Sequence, residues 1–213
     1  MKKILCFGDS NTWGYIPVDG YSCPIPTARY PKNVRWTGIL SENPQWEVIE
    51  EGLSGRTSCF PNHANPCLTG SSYFEACLLT HEPLDVVVVM LGTNDMSETV
   101  CNDMFACSRG LSGMIRRGMQ SLVISSDAKV LLVSPILIKP KSHEIWSTFS
   151  DKSVENSHLF AKFFREQAEV NGWDFLDAAE FAEPSDRDGI HLDEQGHRAL
   201  AEAIAKKLNE MLG

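Results

Sequence analysis

The sequence predicts an α/β fold in which a parallel sheet of five strands is covered by helices on both faces, and three observations carry that prediction. Five strand-like runs recur along the chain, at Lys3 to Phe7, Glu47 to Glu50, Val86 to Leu91, Val130 to Ser134 and Asp174 to Leu176. The gaps between them carry helical patterns. The Ile4-Leu5-Cys6-Phe7 and Val86-to-Leu91 runs are apolar throughout, as expected of strands buried on both sides.

Taken in order, the first run stops at Gly8, so Ser10 falls on the turn at the strand's carboxyl end, where open α/β sheets bind their ligands. Residues Tyr15 to Pro31 hold four prolines (Pro17, Pro24, Pro26, Pro31), which rules out a continuous helix and predicts a surface excursion beside Ser10. Helices are expected around Trp36 to Glu42, Tyr73 to His81, Leu111 to Ser125 and Ser153 to Asn171. The segment Ile136 to Phe149, after the fourth strand, leaves the same edge and carries Pro140, Trp146 and Phe149. The last helix is the most clearly patterned: Leu200, Ile204 and Leu208 recur on one side, with Glu202, Lys206, Lys207 and Glu210 on the other.

Composition narrows the function. No Pro/Gly/Ser-rich stretch and no shift in composition divides the 213 residues, which read as one domain over 1–213. A net charge of −9 without clustered Lys or Arg argues against nucleic acid as a partner. The longest strongly apolar run, Val86 to Leu91, is far short of the ~20 residues a membrane span requires. Met1-Lys2-Lys3 leads directly into the first strand, leaving no room for a secretory signal, so a cytoplasmic location is expected. Seven cysteines, an odd number, fit free thiols in a reducing compartment. With no Cys-x-x-Cys or His-x-x-x-His pair, zinc ligands would have to come from distant segments, and neither a metal nor a cofactor is expected. Phosphate-binding and dinucleotide-binding glycine loops are likewise missing.

Chemistry concentrates in two short motifs at opposite ends, Gly8-Asp9-Ser10-Asn11 and Asp188-Gly189-Ile190-His191. An Asp three residues before a His can fold back within one turn, so its carboxylate meets one imidazole nitrogen and leaves the other free. That pairing supplies a base and its orienter for the Ser10 hydroxyl, which is a poor nucleophile until its proton is removed. Asp186 is the immediate rival to Asp188. His197 falls one helical period before Leu200 and is read as a packing residue, while His63, His81, His143 and His158 read as surface or packing residues. Ser54 lacks the Gly-x-Ser-x-Gly context of a hydrolase elbow.

Two further blocks, Gly52-Leu53-Ser54-Gly55-Arg56-Thr57 and Leu91-Gly92-Thr93-Asn94-Asp95, each follow a strand-like run. With them, Ser10, Gly55, Asn94 and His191 stand in the order and contexts of the four signature blocks of the SGNH (GDSL-type) hydrolases. Val34-Arg35-Trp36-Thr37-Gly38, Val48-Ile49-Glu50-Glu51-Gly52-Leu53-Ser54 and Leu84-Asp85-Val86 resemble the arylesterase and acyltransferase branch of that family. The resemblance covers nearly the whole chain. It implies a three-layer, flavodoxin-like α/β/α fold, a Ser10–His191–Asp188 triad, and an oxyanion hole from the Ser10 and Gly55 amides and the Asn94 side chain.

It further implies a cofactor-independent serine esterase that forms an acyl-enzyme on short-chain carboxylic esters, with water or another alcohol resolving it, and a homo-oligomer. Asn11, Trp13, Thr93, Met96 and Ile190 are expected to border the cleft, with Trp146 and Phe149 as distal walls. A carbohydrate acetylesterase or lysophospholipase of the same fold is the neighbouring alternative, and a non-catalytic flavodoxin-like binding domain is the alternative of a different class.

Overall fold

Alternation within the central strands sets the layers of the computed structural model, which describes residues 1–20, 28–63 and 65–213. In β1 (Lys2–Gly8), Leu5 and Phe7 enter one core while Ile4 and Cys6 enter the other. The same division holds in β3 (Val86–Met90), with Val87 and Val89 against Val86, Val88 and Met90, and in β4 (Lys129–Ser134), with Val130 and Leu132 against Leu131 and Val133. A strand with two apolar faces is stable only between two helical layers. Together with β2 (Trp46–Gly52) and β5 (Asp174–Asp177), these strands form an all-parallel sheet in the order β2-β1-β3-β4-β5. That is the flavodoxin-like order, and it reverses direction at β1 and β3.

One face is covered by α3 (Phe74–His81), α4 (Met104–Ser121) and α7 (Phe160–Asn171), through Phe74, Leu78, Leu111, Ile115, Phe160 and Phe164. The other is covered by α2 (Trp36–Leu40) and α8 (Glu194–Leu212), through Trp36, Leu40, Leu200, Ile204 and Leu208. Short helices α1 (Ser10–Trp13), α5 (Ser142–Ile145) and α6 (Asp151–Ser157) sit in the connections. Among the described residues no helix is long and apolar enough to cross a membrane.

Several boundaries differ from expectation for identifiable reasons. The helix expected from Leu111 begins at Met104, because the Asp103 side chain accepts from the Ala106 amide at 2.7 Å and caps it. It ends at Ser121 and not Ser125, because the Glu82 carboxylate accepts from the Val123, Ile124 and Ser125 amides at 3.0, 2.9 and 2.9 Å and holds them out of helical register. The helix expected over Ser153 to Asn171 is two, α6 and α7, separated at His158 and Leu159. Of the excursion from Tyr15 to Pro31, Pro24, Pro26 and Cys23 lie outside the described residues; its two ends are tied by a bridge between Tyr15 and Arg29.

Candidate active site

Ser10 opens α1 directly after β1 ends. Asp9 caps the turn, its carboxylate accepting from the Asn11 amide at 3.0 Å. Gly8 has to be glycine, since a Cβ there would stand 2.0 Å from Thr12 Oγ1 and 2.8 Å from the Met90 carbonyl oxygen. Asp9 is 2% exposed, and burial pushes its carboxyl up to about 6 against the opposing pull of His191 and Arg56.

The loop before α8 brings the second half. His191 Nε2 lies 2.9 Å from Ser10 Oγ, and His191 Nδ1 lies 2.7 Å from Asp188 Oδ2. Asp188 is fully buried, and its remaining acceptor capacity is met by three amides, from Ile190 at 3.2 Å, His191 at 3.1 Å and Val18 at 3.3 Å. A carboxylate so enclosed has one orientation, and it fixes the ring whose far nitrogen meets the serine. Asp186 points away, its side chain 92% exposed and paired with Lys139. His197 sits under the sheet, with the Trp36 amide donating to its Nδ1 at 3.4 Å and the Tyr30 ring edge-on at 5.4 Å; burial pulls it down to about 4.

Gly55 and Asn94 reach the same place from the ends of β2 and β3. Gly55 takes φ +81°, a left-handed conformation that any side chain would strain. The Asn94 amide donates to the Arg56 carbonyl at 3.1 Å, tying the two loops. Below them Asp95, fully buried, accepts from the Ser58 amide and, at 2.7 Å, from its hydroxyl. The Arg56 guanidinium lies 4.0 Å over the Phe7 ring and donates to the Gly8 and Glu51 carbonyls, binding the Gly55 loop to the ends of β1 and β2. Ser10, Gly55, Asn94, Ile190 and His191 share one cavity of about 310 Å³ with Tyr15, Trp146 and Phe149.

The other expected cleft residues lie elsewhere. Asn11 is 3% exposed and turns its carboxamide inward, donating to the Ile190 carbonyl at 2.9 Å and accepting from the Leu192 amide at 2.9 Å. Its polar atoms are therefore committed to the chain on either side of His191 and not to the cavity. Trp13 faces Tyr15 at 6.3 Å and the Arg29 guanidinium at 5.2 Å, outside the cavity lining. Thr93, 3% exposed, and Met96, fully buried, also stay out of it. In their place is Tyr15, whose ring stacks on His191 at 4.4 Å, while Trp146 meets the same imidazole edge-on at 5.5 Å. Tyr15 carried no sequence signal beyond its position in the proline-rich excursion.

A family model for GDSL-like lipases and acylhydrolases matches residues 6–199. The chain belongs to the GDSL-like lipase/acylhydrolase family. This esterase is similar in structure to the aryl esterase of M. smegmatis, at 35% identity with TM-score 0.92 and 99% of each chain covered. It is also similar to Est24, a carbohydrate acetylesterase from Sinorhizobium meliloti, at 31% identity, TM-score 0.87, with 99% of this chain and 100% of the other covered. A further carbohydrate acetylesterase family member from Sinorhizobium meliloti matches at 29% identity and TM-score 0.88 over the whole of both chains. No curated protein sequence matches the chain.

Proposed function

We propose that the chain, as one domain over residues 1–213, hydrolyses short-chain carboxylic esters in the manner of an arylesterase, with Ser10 as nucleophile, His191 as general base and acid, and Asp188 as the group that orients His191. The observation that carries this reading is the relay Asp188–His191–Ser10, at 2.7 and 2.9 Å, opening on the cavity that also holds Gly55 and Asn94. As Ser10 Oγ attacks the ester carbonyl, its proton passes to His191 Nε2. The Ser10 and Gly55 amides and the Asn94 side chain face the negative charge that builds on the carbonyl oxygen. When the C–O bond breaks, His191 returns the proton to the departing alcohol. Water, or a second alcohol in a transfer reaction, then attacks the acyl-enzyme by the same path in reverse.

Cavity size supports the short acyl chain. A volume of about 310 Å³ lies at the low end of small-molecule sites, and Tyr15, Trp146 and Phe149 wall it with rings that do not compress. Similarity to carbohydrate acetylesterases supports a second reading, acetyl groups on sugars, which shares the acyl half and differs in the alcohol. A cytoplasmic setting goes with either reading on the odd cysteine count, and a homo-oligomer is the assembly that light scattering would test.

A panel of aryl and sugar esters graded in acyl length, run with and without an alcohol acceptor, separates these readings. Turnover highest for acetyl and propionyl aryl esters supports the arylesterase, and turnover confined to acetylated sugars replaces it with the second reading. Ser10→Ala should abolish turnover and fluorophosphonate labelling while the fold persists. Near-normal turnover in Ser10→Ala would sink the whole mechanism.

A further inference from the structure

Away from the Ser10 cavity, the last residues of β2 meet one face of α3. Consecutive strand residues point to opposite sides of the sheet. Glu50 accordingly turns to Arg35 and Thr37, and Glu51 turns to α3. There, Cys77 and His81 stand four residues apart, one above the other on the helix. A carboxylate oxygen of Glu51, the Cys77 sulfur and a ring nitrogen of His81 all lie within 4.8 Å of one another. His81 Nε2 is 3.0 Å from Glu51 Oε1, so this nitrogen is the one turned inward, and the Tyr73 hydroxyl borders the same oxygen at 3.4 Å. Cys77 is fully buried, whereas the Glu51 and His81 side chains are 20% and 28% exposed, so the core closes one side and solvent reaches the other.

Thiolate, imidazole and carboxylate are the donors that suit a borderline-soft divalent ion. Tetrahedral bonds of about 2.0 to 2.3 Å put such donors about 3.5 Å apart; the Glu51 and His81 atoms, at 3.0 Å, are already that near, and no separation in the trio exceeds 4.8 Å, so side-chain torsions have little to close. We propose that Glu51, Cys77 and His81 form a divalent metal site of the zinc class, with a solvent molecule in the fourth position. On binding, the Cys77 S–H bond gives way to a sulfur–metal bond and the proton passes to solvent. The thiolate so formed offsets the charge brought close to the Arg56 guanidinium, which stands 5.9 Å over the Tyr73 ring.

Cobalt(II) serves as a visible stand-in for zinc in the test. Titrated into the whole protein under reducing conditions, it should give a thiolate-to-cobalt absorption band that saturates at one equivalent per chain and is bleached by zinc(II). The band should vanish in Cys77→Ser. Removing a ligand outright should weaken cobalt binding in His81→Gln and Glu51→Gln by at least the ~10 to 100-fold known for outer partners of a metal site. These two side chains are partly exposed, so their variants stay folded even if Cys77→Ser does not. Zinc should also raise the thermal midpoint of the parent protein and leave that of His81→Gln unmoved. Absence of a saturating band, or a band of equal affinity in His81→Gln and Glu51→Gln, overturns the proposal and leaves the trio as an ion pair beside a core thiol.

Discussion

Asn11 and Ile190, separated by 179 positions in the chain, are joined by a buried hydrogen bond of 2.9 Å from the Asn11 carboxamide to the Ile190 carbonyl. The same side chain accepts from the Leu192 amide, so it grips the backbone on both sides of His191. Ser10 and His191 are thereby kept in register by the residue next to the serine.

Asn11→Ala should lower kcat with little effect on KM, because the side chain positions His191 and does not line the cavity. It should also cost about 1 to 3 kcal/mol of stability, since a buried carbonyl and a buried amide lose their partner. Steady-state kinetics and denaturant titration on one preparation check both. A change confined to KM would restore Asn11 to substrate contact.

Asp188→Asn should reduce kcat by on the order of 10⁴-fold, as loss of the orienting carboxylate does in serine proteases, while Asp186→Asn should be nearly silent. The environments explain the contrast: Asp188 is fully enclosed by amides, and Asp186 stands in solvent beside Lys139. Parallel rate measurements on the two variants decide it, and a severe Asp186→Asn with a mild Asp188→Asn would reverse the assignment.

Trp146→Ala should shift preference toward longer acyl chains. Its ring stands edge-on to both His191 and Tyr15, at 5.5 and 6.1 Å, and closes that end of the cavity. One methylene in such a pocket is worth about 10 to 200-fold in discrimination, so the ratio of kcat/KM for butyryl over acetyl esters should rise by about tenfold or more. An unchanged ratio would place the acyl group elsewhere.

Asp95→Asn tests the electrostatics beneath the Gly55 and Asn94 loops. Burial raises the Asp95 carboxyl to about 7, well above the ordinary carboxylate range of about 4, so between those limits the folded chain holds a proton that the unfolded chain has released. Stability from this group is therefore complete below about pH 4 and is lost as pH rises toward 7. Asparagine has the shape of the neutral acid and no such loss. The stability of Asp95→Asn relative to the parent should thus climb with pH across that window by up to ~1.4 kcal/mol per unit. Urea titrations at pH 4, 5.5 and 7 measure it, and a pH-independent difference would show that Asp95 is ionised throughout.

How much of this could be read from residues alone follows from the range of each interaction. The three central strands were legible because burial on two faces leaves apolar runs, and the Asp188–His191 pairing was legible because its partners sit within one turn. The start of α4 had a visible cap in Asp103 that helical periodicity from Leu111 overlooked. The inward turn of Asn11, the stacking of Tyr15 on His191 and the Asp95–Ser58 link left no trace in local pattern, since each partner is brought in by a different strand. Asn11 beside the serine looks like a cleft residue until the Ile190 carbonyl arrives opposite it.

The placement of Ser10 at the end of the first strand and of His191 just before the last helix has a consequence for synthesis. A ribosome displays the serine early, but on the proposed mechanism a truncated chain that stops short of the Asp188–His191 loop lacks the base for its hydroxyl. Ester cleavage by a nascent chain should begin only once the Asp188–His191 loop has also emerged and folded back onto the first strand, so a chain released before that point is silent.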